Sequence, residues 1–270
     1  CMNAHWQNGH KEYHKEQKKL AILDGSLRER DRSLAETQAR RAEATGHEYD
    51  KRYAAAVALS AESDNHGAAK AWRKIIKQWP DKPGAYRNLA IVLDRSNLNA
   101  EAAPMYLKAM ELHEEGTEDW AYSAAEAFDT LKTPVCREVP KPEWWNDEAL
   151  KALSARVVAL APDSGDACGM RARVLGGDAI GKAHWNVGPR TAAEIKEAAT
   201  WYRRAARVTH STADKLRDEG LAHRCDEVAD PLLAKEEAEA AKARAAAEAE
   251  AAKARAAAKA EAAEALKVAE

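Results

Sequence analysis

Phenylalanine occurs once in 270 residues, and no Val/Ile-rich run of strand length is present. With 32% of the residues charged, that scarcity argues against a β sandwich and for an alanine- and charge-rich helical protein. No apolar run approaches the roughly 18 residues of a membrane span. Neither charge dominates: 42 basic and 44 acidic side chains leave a net −2, too little to draw in nucleic acid or anionic lipid. The four cysteines (Cys1, Cys136, Cys168, Cys225) stand far apart with no C-x-x-C pair. That spacing excludes a disulfide framework and favours a reducing compartment. No charged head followed by an apolar stretch marks a signal peptide, so the expected location is the cytoplasm. A chain that opens on Cys1 and stops inside a helical pattern can be a fragment, however, and its missing signals then prove little.

What is present falls into three regions. Residues 1–48 form a charged extension whose thin apolar spacing (Leu20, Leu23, Leu27, Leu34) predicts an exposed helix, broken at Asp24-Gly25-Ser26. From about 49 to 230 a hidden period appears. Ala56, Ala90 and Ala124 are spaced by 34 residues, and so are Ala68 and Ala102, Trp72 and Tyr106, Ile75 and Ala109, and Tyr86 and Trp120. Leu89, Leu93 and Phe128 fit the same frame. A third unit is interrupted near 132–143 by TPVCREVPKPE and resumes in a helix across 144–161 that ends at Pro162. A fourth, with Ala172 and Leu175 in place, is interrupted near 177–190 and closes with AAEIKEAATWYRRAARV. The stretch WRKIIKQWPDKPGAYRNLA at 72–90 is then the packing face of one hairpin meeting the next, with Pro80 and Pro83 around the turn.

After Asp230-Pro231 the composition changes. The proline is expected to stop one helix and begin another. EAAKARAAAEA and EAAKARAAAKA then repeat every eleven residues, close to a straight helix. Almost no Leu, Ile or Val follows, so 231–270 lacks a coiled-coil seam and reads as a solvated single helix or spacer.

Two stretches invite a chemical reading. GGDAIGKA at 176–183 has the spacing of a phosphate-binding loop through Gly176, Gly181 and Lys182. Ala183 stands where a magnesium-binding hydroxyl belongs, and no strand precedes it. HKEYH puts His10 and His14 one turn apart, with His5 as a conceivable third ligand, but Lys11 occupies the place a zinc peptidase needs for glutamate. Neither motif is complete, so no cofactor, metal or catalytic residue is expected. Of the adjacent Trp144 and Trp145, one ring is expected to pack under the insertion and the other to stay partly exposed.

The period and its slots resemble the tetratricopeptide repeat (TPR). The match covers an aromatic in the first helix (Tyr86, Trp120), a small residue four places on (Ala90, Ala124), and small–aromatic–small in the second (Ala102, Tyr106, Ala109). The resemblance spans roughly 49–210 and implies an all-α fold: a right-handed α-solenoid of degenerate TPR-like hairpins, because one hairpin cannot bury its apolar face alone.

The resemblance further implies a concave groove, lined by first helices, that receives an extended peptide or a partner helix. Its slots fall on Tyr53, Val57, Arg87, Asn88, Ile91, Arg95, Ala121, Tyr122, Ala125, Asp129, Met170 and Arg173. Arginines beside apolar positions suit an acidic or C-terminal peptide. The carboxylate clamp of the chaperone-binding subgroup is not expected: Asn88 fills its asparagine slot, but Tyr53, Val57, Glu118 and Tyr122 stand at the others. The expected function is a noncatalytic protein–protein interaction adaptor or scaffold. The alternatives are the recognition arm of an enzyme whose catalytic domain lies outside the chain, and a helical-repeat RNA-binding protein.

Overall fold

The computed structural model describes residues 29–181, 185, 187–209 and 211–268, and among them there is no β strand. A helix over 29–45 (α1) is followed by α2 (Glu48–Ala61), α3 (Asn65–Gln78), α4 (Pro83–Arg95), α5 (Asn99–Leu112) and α6 (Glu118–Leu131). Next come α7 (Asp147–Leu160), α8 (Gly165–Gly176), α9 (Ala192–Val208) and α10 (Thr212–Val268), with short 3₁₀ turns at Pro134–Cys136 and Gly177–Ile180. The first two interrupted units therefore close as α6/α7 and α8/α9, with the 3₁₀ turns lying in the insertions.

Local chemistry sets the helix starts. The Asp64 carboxylate accepts from Gly67 N, and Thr117, Asn146 and Ser164 cap α6, α7 and α8 in the same way. Pro83 starts α4, where a missing N–H costs nothing. Thr191 and Glu194 satisfy each other's backbone in a capping box that opens α9.

Each helix from α2 onward packs on its successor, and the repeat slots are where the packing is closest. Ala56, Ala68, Ala90, Ala102, Ala109 and Ala124 are all fully buried, allowing helix backbones to approach; Trp72, Ile75, Tyr106 and Phe128 fill the space beside them. Fully burying each of these large side chains contributes about 1.5–3 kcal/mol. Trp72 meets Tyr53 edge to face at 4.9 Å, tying α3 back to α2. The cluster at 72–90 is thus interior: Trp72 and Ile75 are buried, while Ile76 and Trp79 lie half-buried at its margin.

Both insertions are fastened to the stack. Trp144 and Trp145 are each half-buried, so the two rings share the packing under the insertion instead of dividing into one packed and one partly exposed ring. Trp145 packs on Phe128 and on Trp185 of the second insertion, and Lys141 donates to Cys136 O (2.6 Å) while lying over the Trp145 ring. Arg190 closes the second insertion through paired bonds to Asp147 at the start of α7 and to Val174 O at the end of α8.

One boundary read from composition changes. α10 runs unbroken through Pro231, so the proline neither stops nor starts a helix. The composition break instead marks where packing ends: Ala222, Cys225 and Ala229 are buried against α9, whereas from Ala234 to Ala256 every side chain is exposed. In the charged N-terminal region α1 is largely exposed, and it meets the repeats through Ala35 and Ala42. His5, His10 and His14 and the expected break at 24–26 lie outside the described residues.

Candidate functional site

Alternate helices (α2, α4, α6, α8, then the start of α10) form one wall of the stack, and polar side chains join them sideways. Asn88 Nδ2 on α4 donates to the Tyr53 hydroxyl on α2 at 2.7 Å. Arg87 on α4 donates through Nε and a terminal nitrogen to both Glu126 oxygens on α6, each at 2.8 Å. Arg173 on α8 donates to Asp129 on α6 at 2.6 Å, and Lys132 approaches the same carboxylate at 3.5 Å. Arg217 on α10 holds Asp214 and Asp218.

The residues expected to line a groove divide three ways. Tyr53, Arg87, Asn88, Ile91, Tyr122, Asp129 and Arg173 keep surface on this wall. Met170 does not, nor do Ala121 and Ala125, because those helix positions turn into the hairpin interior, while Val57 keeps only 6% of its surface, in a cleft it lines with Arg87 and Asn88. Arg95 faces the wall, but Asp31 of α1 already holds it at 3.3 Å. Asp31 and Leu34 share one cleft with Arg87, Asn88, Ile91 and Arg95, so α1 lies across the first part of the expected groove.

Sequence reasoning missed the acidic half of the wall. Asp94 and Asp166 line a second cleft together with Glu126, Asp129, Arg95, Ile91, Tyr106 and Thr130. Asp94 accepts only a neutral hydrogen bond, from Asn99 Nδ2 (2.9 Å), and no described basic side chain lies within ion-pair distance of Asp94 or Asp166. A signal was available: Tyr122, Glu126 and Asp129 follow one another at four and three residues, as do Ile91 with Asp94, and Asp166 with Met170 and Arg173.

The electrostatics follow from this geometry. Burial pushes the Glu126 carboxyl up to about 7, against the opposing pull of Arg87. Burial would also raise Asp129, but Arg173 and Lys132 hold it below the ordinary range. Asp94 and Asp166 are both raised, first by loss of surrounding water and then by the charge on Asp129. Tyr122 is raised to about 12, chiefly because its hydroxyl donates to Glu118.

Among the described residues no three His, Cys, Asp or Glu side chains gather in a metal-holding arrangement. The glycine-rich stretch follows α8 rather than a strand, with Gly177 at φ +50° and Gly181 at φ +149° shaping the turn. Lys182 lies outside the described residues. No described helix is long and apolar enough to cross a membrane.

No protein-family model matches the chain, and no curated protein matches it by sequence. Solved structures do. YrrB, described as a TPR protein with an unusual peptide-binding site, is 18% identical with a TM-score of 0.43, over 72% of this chain and 85% of its own. The MamA protein is 15% identical with a TM-score of 0.45, over 70% of this chain and 87% of its own. Yeast Tom70 is 17% identical with a TM-score of 0.48, over 78% of this chain but only 40% of its own. These are likenesses of fold and nothing more. The buried alanine and aromatic slots, repeating every 34 residues through stacked hairpins, make this chain an all-α, TPR-like helical-repeat protein.

Proposed function

We propose that this chain is a noncatalytic interaction scaffold whose inner wall, from α4 through α8, receives a segment of a partner protein, as an extended peptide or a helix. The carrying observation is the row of side chains that joins one repeat to the next along that wall. Tyr53 to Asn88, Arg87 to Glu126 and Arg173 to Asp129 are held in place by one another yet keep a solvent-facing side. A row fixed before binding loses little side-chain entropy when a ligand arrives. The hairpin interior, by contrast, is closed and offers nothing to a partner. A reducing, cytoplasmic setting accords with Cys136, Cys168 and Cys225, which are all buried and unpaired.

The acidic or C-terminal peptide expected from the arginines has less physical ground in the structure. Arg87, Arg95 and Arg173 each already hold a carboxylate of this chain, and an incoming one would have to displace it.

Hydrogen exchange tests the surface without assuming the ligand's charge. Peptides selected from an unbiased displayed library on the full chain are expected to slow exchange in α4, α6 and α8. Protection confined to α3, α5 and α7, on the opposite wall, would defeat the reading.

A further inference from the structure

The charges of the inner wall do not cancel, and the remainder has a sign and a place. Every arginine there is matched: Arg87 by both oxygens of Glu126, Arg173 by Asp129, which Lys132 also approaches, Arg217 by Asp214 and Asp218, and Arg95 by Asp31 from α1. Asp94 and Asp166 are left over. They come from different repeats, yet line one cleft with Glu126, Asp129, Ile91 and Tyr106, and with Arg95, whose charge Asp31 already takes. This cleft shares Ile91 and Arg95 with the one that α1 borders, but neither Asp31 nor Leu34 of α1 lines it.

We propose that this cleft docks a lysine- or arginine-rich segment of a partner protein, with Asp94 and Asp166 each taking one of its cations and Ile91 the aliphatic stems. The assignment rests on the scaffold reading above and gives it a ligand chemistry.

The physics favours this sign over its opposite. Both carboxyls are raised above their ordinary values, first by partial loss of surrounding water and then by the charge on Asp129, so a cation brought beside them offsets a cost already present. An acidic segment would add a third charge of the same sign, or break a bidentate pair to reach Arg87. Nucleic acid would bring its phosphates against the same two aspartates, which disfavours it as the occupant of this cleft. Lysine and arginine side chains also suit a cleft with an apolar floor and an acidic rim, because their stems bury while their heads stay polar.

The test uses the full chain and two fluorescein-labelled peptides, one of alternating lysine and alanine, the other of alternating glutamate and alanine, read by anisotropy. The lysine peptide is expected to bind and to weaken steeply between about 50 and 300 mM salt. Asp94→Asn combined with Asp166→Asn should weaken it roughly tenfold or more. Glu101→Gln, on the opposite wall where Glu101 pairs with Arg73, should leave it unchanged. Both aspartates are exposed, so the isosteric double variant should keep its helical circular dichroism, which is checked alongside.

Three outcomes overturn the proposal: the glutamate peptide binding in preference, the lysine peptide binding with no dependence on the aspartates, or neither binding. The library exchange experiment is blind to charge. Protection of α4, α6 and α8 by peptides that are not basic would sink this inference and leave the scaffold standing; absence of protection there sinks both.

Discussion

Arg87 shows how a groove residue in sequence becomes a structural residue in space. Its slot marks it as a ligand contact, but its guanidinium lies flat against Glu126 with two bonds of 2.8 Å and also faces the Tyr122 ring at 5.8 Å. The pair sets a pH dependence. The Glu126 carboxyl rises from an ordinary 4.5 to about 7 on folding. A carboxyl raised in this direction contributes stability fully below its unfolded value and loses it as pH rises through the folded value. Arg87 limits that loss. In Arg87→Met the folded value climbs further, so the cost of charging Glu126 grows with pH. The variant is expected to lose about 1–3 kcal/mol at pH 8, a figure reduced from that of a fully buried pair because Arg87 keeps a third of its surface in water. The loss should be clearly smaller at pH 5. Thermal unfolding at the two pH values measures it; an equal loss at both would refute the coupling.

At the scale of elements, α4 and α1 differ in what holds them. α4 buries Ala85, Tyr86, Leu89, Ala90, Val92 and Leu93 between its neighbours. α1 touches the stack through the small side chains of Ala35 and Ala42, through a Thr45 hydrogen bond to Asp50, and through the ion pairs Asp31 with Arg95 and Arg41 with Asp50, each of a type worth about 0–1 kcal/mol. Amides of α1 are therefore expected to exchange at least about tenfold faster than those of α4. Co-protection of the two helices would show α1 to be an integral part of the fold. The same contrast explains what could be read in advance. Ala56, Ala90 and Ala124 are legible in sequence because only a small side chain allows backbones that close, and the requirement returns in every hairpin. Asp31 is not legible, because a solvated carboxylate is stable in many places and the period says nothing of which arginine it will meet. Arg173 and Asp94 carry the same lesson with opposite outcomes: one is neutralised and the other is not, and only the fold decides which.

The whole molecule is a one-dimensional stack, so its stability is carried by neighbour-to-neighbour interfaces and its ends need closing. The first part of α10 does this at the C-terminal end, burying Ala222, Cys225 and Ala229 against Ile195, Ala198 and Tyr202 of α9. Pro231 was legible as a helix break and is not one. A mid-helix proline costs a hydrogen bond and roughly 3 kcal/mol, but the alanine-rich run behind it has strong helix propensity and no competing packing to satisfy. From Ala234 to Ala256 every side chain of the helix is exposed. A chain ended after Pro231 should therefore unfold within about 0.5 kcal/mol of the full one. A chain ended after Val208 uncovers Ile195 and Tyr202 and should lose cooperative unfolding, first in α8 and α9. Denaturant titrations of both truncations, followed by circular dichroism, separate the two roles. Equal damage from the shorter and the longer cut would mean that the exposed arm, not the packed turns before it, closes the stack.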